Sequence, residues 1–240
     1  MSLPGAPPGE GAPLAERAGW VRDRIADAAR RSGRPAGSVK LVAVSKTQPL
    51  ARILEAHEAG LSVFGENYVQ EAGEKIRGLP GAEWHLIGRL QGNKVRRAVA
   101  LFPWIQTADS GGRLRDISRC AGESGKTVRV LIEVNLGGEG SKSGADPGDL
   151  RAILDESAGL PGVRVEGFMV IPPFSADPEG SRPHFARLRE LRDALARELP
   201  GSTLGELSMG MSNDFGQAIE EGATMVRVGT AIFGSRQGRG

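Results

Sequence analysis

The feature that most constrains this chain is an alternation. Short apolar, β-branched runs recur about eight times, and a helical pattern follows nearly every one. The runs are Val39–Ser45, Leu61–Gly65, Glu83–Gly88, Trp104–Thr107, Val128–Asn135, Val163–Ile171, Leu204–Ser208 and Thr224–Val228. The helical patterns fall at Leu50–Gly60, Val69–Ile76, Leu90–Leu101, Gly112–Glu123, Asp149–Ser157, His184–Leu199 and Asp214–Glu221. Strands apolar on both faces belong in a parallel sheet covered by helices. With no composition break and no Pro/Gly linker between halves, the pattern predicts a single (β/α)8 barrel, not an open doubly wound sheet. An amphipathic helix, Leu14–Arg31, precedes the first strand. The domain is therefore expected to span residues 14–236, after a disordered Pro/Gly tail at residues 1–13.

Composition narrows the function. The chain has 240 residues, with 31 Lys and Arg against 29 Asp and Glu, and 5% aromatic residues. That balance, without a long basic run, argues against a nucleic-acid partner. Cys120 is the sole cysteine, which excludes an intrachain disulfide and suits a reducing compartment. His57, His85 and His184 show no metal-ligand spacing. No stretch is long and apolar enough to span a membrane, and MSLPGAPPGEGAP lacks the order of a secretory signal. A soluble, cytoplasmic protein is expected.

Chemistry is concentrated at strand ends. Val39–Pro49 (VKLVAVSKTQP) delivers Lys46 to the carboxyl end of the first strand, where α/β folds bind ligands. A lysine against apolar walls has its amine pKa lowered by desolvation, and a free amine attacks carbonyls to form a Schiff base. Two small-residue turns close the last two strands, Leu207–Asn213 (LSMGMSN) and Arg227–Gly234 (RVGTAIFG). In barrels these positions frequently build a phosphate site from backbone N–H groups, with Ser or Thr hydroxyls adding donors. Arg227 lies inside the apolar last strand and needs a carboxylate or a ligand as partner. Asn67 follows the second strand, placed either to meet a ligand or to cap the next helix. Gly122–Thr127 imitates a nucleotide-binding P-loop. However, Cys120 stands where the first glycine belongs, and the segment precedes a strand instead of following one. Gly137–Gly144 (GGEGSKSG) reads as a solvated loop whose Lys142 and serines are able to meet an anion.

Together, AVSKTQP, FGENYVQE, WHLIGRLQGNK, SKSG, LSMGMSNDFGQAI and MVRVGTAIFG resemble the YggS/PROSC family of pyridoxal-phosphate homeostasis proteins, from about Val39 to Gly234. The resemblance implies a barrel like the N-terminal domain of alanine racemase, and pyridoxal 5'-phosphate, a form of vitamin B6, held as a Schiff base without established catalytic turnover. Carried over by position, Lys46 is the Schiff-base lysine. Ser212, Gly229 and Thr230 hold the phosphate, with the backbone near Met211. Arg227 faces the pyridine nitrogen, Asn67 lies beside the ring, and Ser208 stands behind them. Gln48 replaces a second lysine common in the family, and Gly216 weakens a helix. An arginine cannot accept the ring proton, so Arg227 keeps the ring nitrogen neutral and restrains carbanion chemistry.

The rival reading is an amino-acid racemase. It requires a second base, which alanine racemase takes from a further domain. This chain ends a few residues past its last strand and is expected to lack that domain. Its only tyrosine, Tyr68, sits in the GENY motif. An aldolase that uses Lys46 without the cofactor is a third reading, and it gives Ser212 and Thr230 no phosphate role. The expected partners are the cofactor and the PLP-dependent apo-enzymes that would receive it. The expected state is a monomer, and Lys94 and Lys142 are candidates for a second, transient cofactor site.

Overall fold

The computed structural model describes residues 7–9, 11–137 and 143–234. Lys142, most of the expected tail and residues 235–236 at the domain's end lie outside these. Eight parallel strands close into a barrel in chain order, β1-β2-β3-β4-β5-β6-β7-β8. They are β1 Lys40–Val44, β2 Val63–Glu66, β3 Glu83–Leu86, β4 Trp104–Ala108, β5 Val128–Glu133, β6 Val163–Met169, β7 Glu206–Ser208 and β8 Met225–Val228. The helices are α1 Leu14–Arg31, α2 Leu50–Glu58, α3 Val69–Gly78, α4 Val95–Leu101, α5 Gly111–Glu123, α6 Leu150–Ser157, α7 Arg182–Glu198, α8 Phe215–Glu220 and α9 Thr230–Phe233. The expected (β/α)8 barrel with an extra N-terminal helix is the observed fold.

Boundaries move for local reasons. The fourth helix was expected from Leu90, but Gly92–Lys94 is a 3-10 turn and α4 starts at Val95. Gly92 and Asn93 are poor helix formers, so the α-helix waits for the apolar run. α7 begins two residues earlier than expected, because Pro183 fits the first turn, where its missing N–H goes unused. The helix after β8 is a single turn. α1 packs beside it and against α8, burying Leu14, Ala18, Val21, Ile25, Ala28 and Ala29 to complete the outer layer.

Strand alternation sorts side chains into two compartments. Those facing the helices form one large apolar core, including Ala43, Phe64, Trp84, Ile105, Phe168, Leu207 and Val226. Phe64 and Trp84 meet there, with ring centroids 5.3 Å apart. The barrel interior differs: a small apolar cluster of Trp104, Leu131, Met169 and Met225 is mixed with buried polar groups. Near the amino ends of the strands, Glu83 accepts from Lys40 Nζ at 2.8 Å and from His85 Nε2 at 2.7 Å. There, too, the Arg129 guanidinium lies 3.9 Å from the Trp104 ring centroid and bonds Glu166 through both Nε and Nη2.

Gly167 shows how tightly the sheet is drawn together beside this interior. Its φ is +152°, and a Cβ there would lie 1.9 Å from the Glu206 carbonyl oxygen of β7. Only glycine lets β6 and β7 approach so closely.

The hydrogen bonds from His85 and Lys40 draw the Glu83 carboxyl down from 4.5 to about 2. A carboxylate depressed on folding stabilises the protein above its unfolded value, and this is lost as the pH falls through the folded one. Glu83→Gln is therefore expected to cost about 1 kcal/mol at pH 7, the group being partly solvent-screened. It should also flatten the loss of stability between pH 4.5 and about 2, as measured by urea unfolding across that range.

Candidate functional site at the carboxyl ends of the strands

β1 ends in a turn built to present one side chain. The Gln48 N–H donates to the Ser45 carbonyl at 3.1 Å, and Thr47 takes a left-handed φ of +64°. A β-branched residue there is strained by roughly 1–3 kcal/mol, so surrounding contacts must hold it. They come from outside the barrel. The Thr47 N–H donates to Glu71 Oε1 at 2.7 Å, and the Ser45 hydroxyl to Glu66 Oε1 at 2.6 Å. Lys75 of α3 reaches in beneath, donating to the Ser45 carbonyl and to Glu66 Oε1, each at 2.8 Å, and to Glu71. Glu66 is fully buried, and burial pushes its carboxyl up from the ordinary value. Ser45 and Lys46 thus face opposite ways: Ser45 is clamped from the helix side, and Lys46 turns toward the barrel mouth.

That mouth holds a cavity of about 290 Å³. Lys46, Met211, Ser212, Arg227, Gly229 and Thr230 all line it, together with Val44, Gln48, Asn213, Phe174 and Phe233. Among the described residues its lining carries one ammonium and one guanidinium but no carboxylate, imidazole or phenol. Such a lining favours an anionic guest. A larger hollow of about 530 Å³ lies elsewhere, between α6 and the loop before β7, and includes none of the expected site residues.

The β8–α9 turn forms a backbone cradle. Ser212 Oγ accepts from the Gly229 and Ala231 N–H groups, each at 3.3 Å, so two amides of the β8–α9 turn converge on one point. Asp214 closes the neighbouring turn by accepting from the Met211 N–H at 2.7 Å. Gly229 lies against β1, where a Cβ would sit 3.3 Å from that of Val44. Ala231 was missed by sequence reasoning because α9 is only four residues long, too short for any periodicity to show.

Arg227 is buried to 3% exposure. It donates through Nη1 to Ser208 Oγ at 2.7 Å and through Nη2 to the Val170 carbonyl at 2.8 Å. Burial lowers its pKa to about 10 against the opposing pull of Glu133 and Asp214, which leaves it cationic at neutral pH. Ser208 does not line the cavity; it lies behind Arg227. Asn67 also stands off the lining, half-buried at the end of β2, with its backbone against Gly88. Lys94 is in the 3-10 turn before α4, likewise away from the cavity. Among the described residues no cluster of His, Cys, Asp and Glu suits a metal ion, and no helix is long and apolar enough to cross a membrane.

Comparison with known proteins decides the family. The family profile of the alanine racemase N-terminal domain matches residues 21–237. The pyridoxal phosphate homeostasis protein of Aquifex aeolicus is 46% identical over 224 residues, covering 92% of this chain and 98% of that protein. The chain belongs to the pyridoxal phosphate homeostasis protein family. Its relative in Escherichia coli K12 is 41% identical, covering 93% of this chain and 97% of that protein. The structure of Synechococcus elongatus PipY with PLP bound superposes with a TM-score of 0.79 at 42% identity, covering 89% of this chain and all of that one. Alanine racemase of Corynebacterium glutamicum shares the fold, at a TM-score of 0.66 and 19% identity, and this chain spans 60% of its length.

The clamp under Lys46 yields a test. Lys75→Met would leave the buried Glu66 carboxylate without its cation, which costs roughly 3–5 kcal/mol. Urea denaturation should show that loss, whereas exposed Lys126→Met should change stability by less than about 0.5 kcal/mol.

Proposed function

We infer that this protein binds pyridoxal 5'-phosphate, carries it covalently on Lys46, and serves intracellular PLP homeostasis as a carrier without catalytic turnover. The observation that carries the reading is the donor set at the cavity: one lysine amine and one buried guanidinium in the lining, two converging amides at its edge, and no acidic group among the described lining residues. A dianionic phosphate on an aromatic aldehyde is complementary to that set. PLP bound to the Synechococcus relative, at 42% identity, supports it.

Each residue then has a role. Lys46 supplies the amine that holds the aldehyde carbon, and the Ser45–Gln48 turn aims it. The Gly229 and Ala231 amides, which meet Ser212 Oγ in this structure, would turn to the phosphate as donors together with the Ser212 and Thr230 hydroxyls. The backbone near Met211 completes that cradle. Arg227 donates toward the pyridine nitrogen and holds no proton it can readily give up, while Asn67, off the lining at the end of β2, would border the ring only if the guest extends past the described lining toward β2. When bound, the cofactor supplies an electron sink, and a ring nitrogen left unprotonated weakens that sink.

The carrier reading rests on the single base. Racemisation needs a proton acceptor on each face of the substrate carbon, and among the described cavity-lining residues Lys46 alone is suited to act as a base. Tyr68, the chain's only tyrosine, is 55% exposed and outside the lining. Residues 14–236 form the cofactor-binding unit in this reading, acting as a monomer that passes its cargo to PLP-dependent apo-enzymes. Lys142 and Lys94 are not needed by it.

Purified protein given PLP should show a visible absorption band, and borohydride should fix a pyridoxyl group on Lys46, located by peptide mass mapping. Lys46→Ala should lose both. Amino-acid racemisation above the Lys46→Ala background would overturn the carrier reading, and absence of band and adduct would overturn cofactor binding itself.

A further inference from the structure

A line of buried polar side chains runs through the barrel from the cofactor cavity to the opposite mouth. Arg227 Nη1 donates to Ser208 Oγ at 2.7 Å, and the Ser208 hydroxyl donates to Gln106 Oε1 at 2.6 Å. Gln106 Nε2 donates to His85 Nδ1 at 2.7 Å, and His85 Nε2–H donates to Glu83 Oε1 at 2.7 Å. Lys40 caps the far end by donating to the same carboxylate oxygen at 2.8 Å. Ser208, Gln106 and His85 are each wholly buried.

The proton directions are mutually forced. Serine has one hydroxyl hydrogen, so accepting from Arg227 and donating to Gln106 uses its capacity in one sense only. Gln106 then presents its carbonyl to Ser208 and its amide to His85. Burial lowers the His85 pKa, so the ring is neutral, with Nε2 as donor and Nδ1 as acceptor. Every bond therefore points the same way, from a cation toward a carboxylate, and such chains reinforce one another in a low-dielectric interior. Trp104 stacks on His85 at 5.1 Å and 18°, while Gln106 Nε2 also touches Met225 Sδ at 3.7 Å, so the line is sheathed in apolar groups. The charged groups around it are Glu133 and Asp214 toward Arg227, and Glu83, Lys40 and Arg129 toward His85.

We propose that Gln106, backed by His85, is the positioning residue for Arg227: the chain it completes sets the direction of the guanidinium from the far side of the barrel. Gln106 touches neither cavity nor cofactor and acts through Ser208. The inference rests on the reading of Arg227 as the group that faces the pyridine ring. Its structural half stands independently, because the chain exists in the protein alone.

The test has two arms. In cofactor-free protein, nitrogen-15 NMR should resolve separate, slowly exchanging Arg227 Nη signals, which coalesce in Gln106→Leu as the guanidinium is freed to rotate. In PLP-loaded protein, the pH midpoint of the visible band should rise by about half a unit or more in Gln106→Leu, because a displaced guanidinium withdraws less charge from the ring. Glu83→Gln, four hydrogen bonds from Arg227, should shift it less but in the same direction. Ile105→Val, on the helix-facing side of the same strand, should lose stability with no shift. Gln106→Asn, too short to span Ser208 and His85, carries the same expectations should the leucine variant not fold. Persistent Nη signals and an unchanged midpoint in the Gln106 variants, with PLP still trapped on Lys46, would overturn the proposal. Failure of the wild-type protein to take up PLP would instead overturn the cofactor reading, and the Nη arm would still decide whether the chain holds Arg227.

Discussion

Putting a guanidinium inside a barrel is the constraint to which the interior answers. Unpaired burial of a charge costs several kcal/mol even after the protein relaxes, so Arg227 must be given acceptors. No carboxylate bonds it directly. It rests instead on the Val170 carbonyl and the Ser208 hydroxyl, both neutral acceptors, with Glu133 and Asp214 acting at longer range. A carboxylate in direct contact would consume the guanidinium's donors. Neutral acceptors on one edge leave the rest of the group able to donate into the cavity. The polar interior, unusual where barrels commonly stack branched aliphatic side chains, follows from that choice.

The same economy appears at Lys46, where the two faces of one strand are put to different uses. Val44 and Lys46 face the barrel mouth, while Ser45 between them faces α3, in the period-two alternation of any strand. Glu66, Glu71 and Lys75 clamp Ser45 and the strained Thr47 from the helix layer, out of the cavity's way. The backbone on either side of Lys46 is thus held from the helix layer. Across the cavity, backbone amides are likewise ordered, those of Gly229 and Ala231 both donating to Ser212 Oγ. Rigid main chain at both ends is how a small cavity presets its guest's orientation.

Much of this was legible in the sequence. Strand ends carry ligand groups in α/β barrels, so Lys46 and the two closing turns could be placed from pattern alone, and the structure brings them to one cavity. α1 was readable to the residue, because its apolar spacing is long and regular. β7 was faint for the opposite reason: three residues give no alternation to count. The polar chain was invisible. His85, Gln106 and Ser208 lie on three different strands, and nothing in their sequence neighbourhoods signals that barrel closure makes them neighbours. His85 in particular offered only an isolated histidine without metal spacing. The Lys75 clamp was hidden similarly, since a lysine in an amphipathic helix reads as solvated until its partners, Glu66 and the Ser45 carbonyl, are seen.

The central claim is that this barrel holds pyridoxal phosphate between a backbone-fixed lysine and a backbone-fixed phosphate cradle, with a cation facing the ring. A crystal structure of the PLP-loaded protein tests it most directly. The account predicts continuous density from Lys46 Nζ to the cofactor, the phosphate on the Gly229 and Ala231 amides, and a guanidinium nitrogen of Arg227 within about 3 Å of the pyridine nitrogen. A cofactor bound elsewhere, or a ring nitrogen facing a carboxylate with Arg227 turned away, would contradict it.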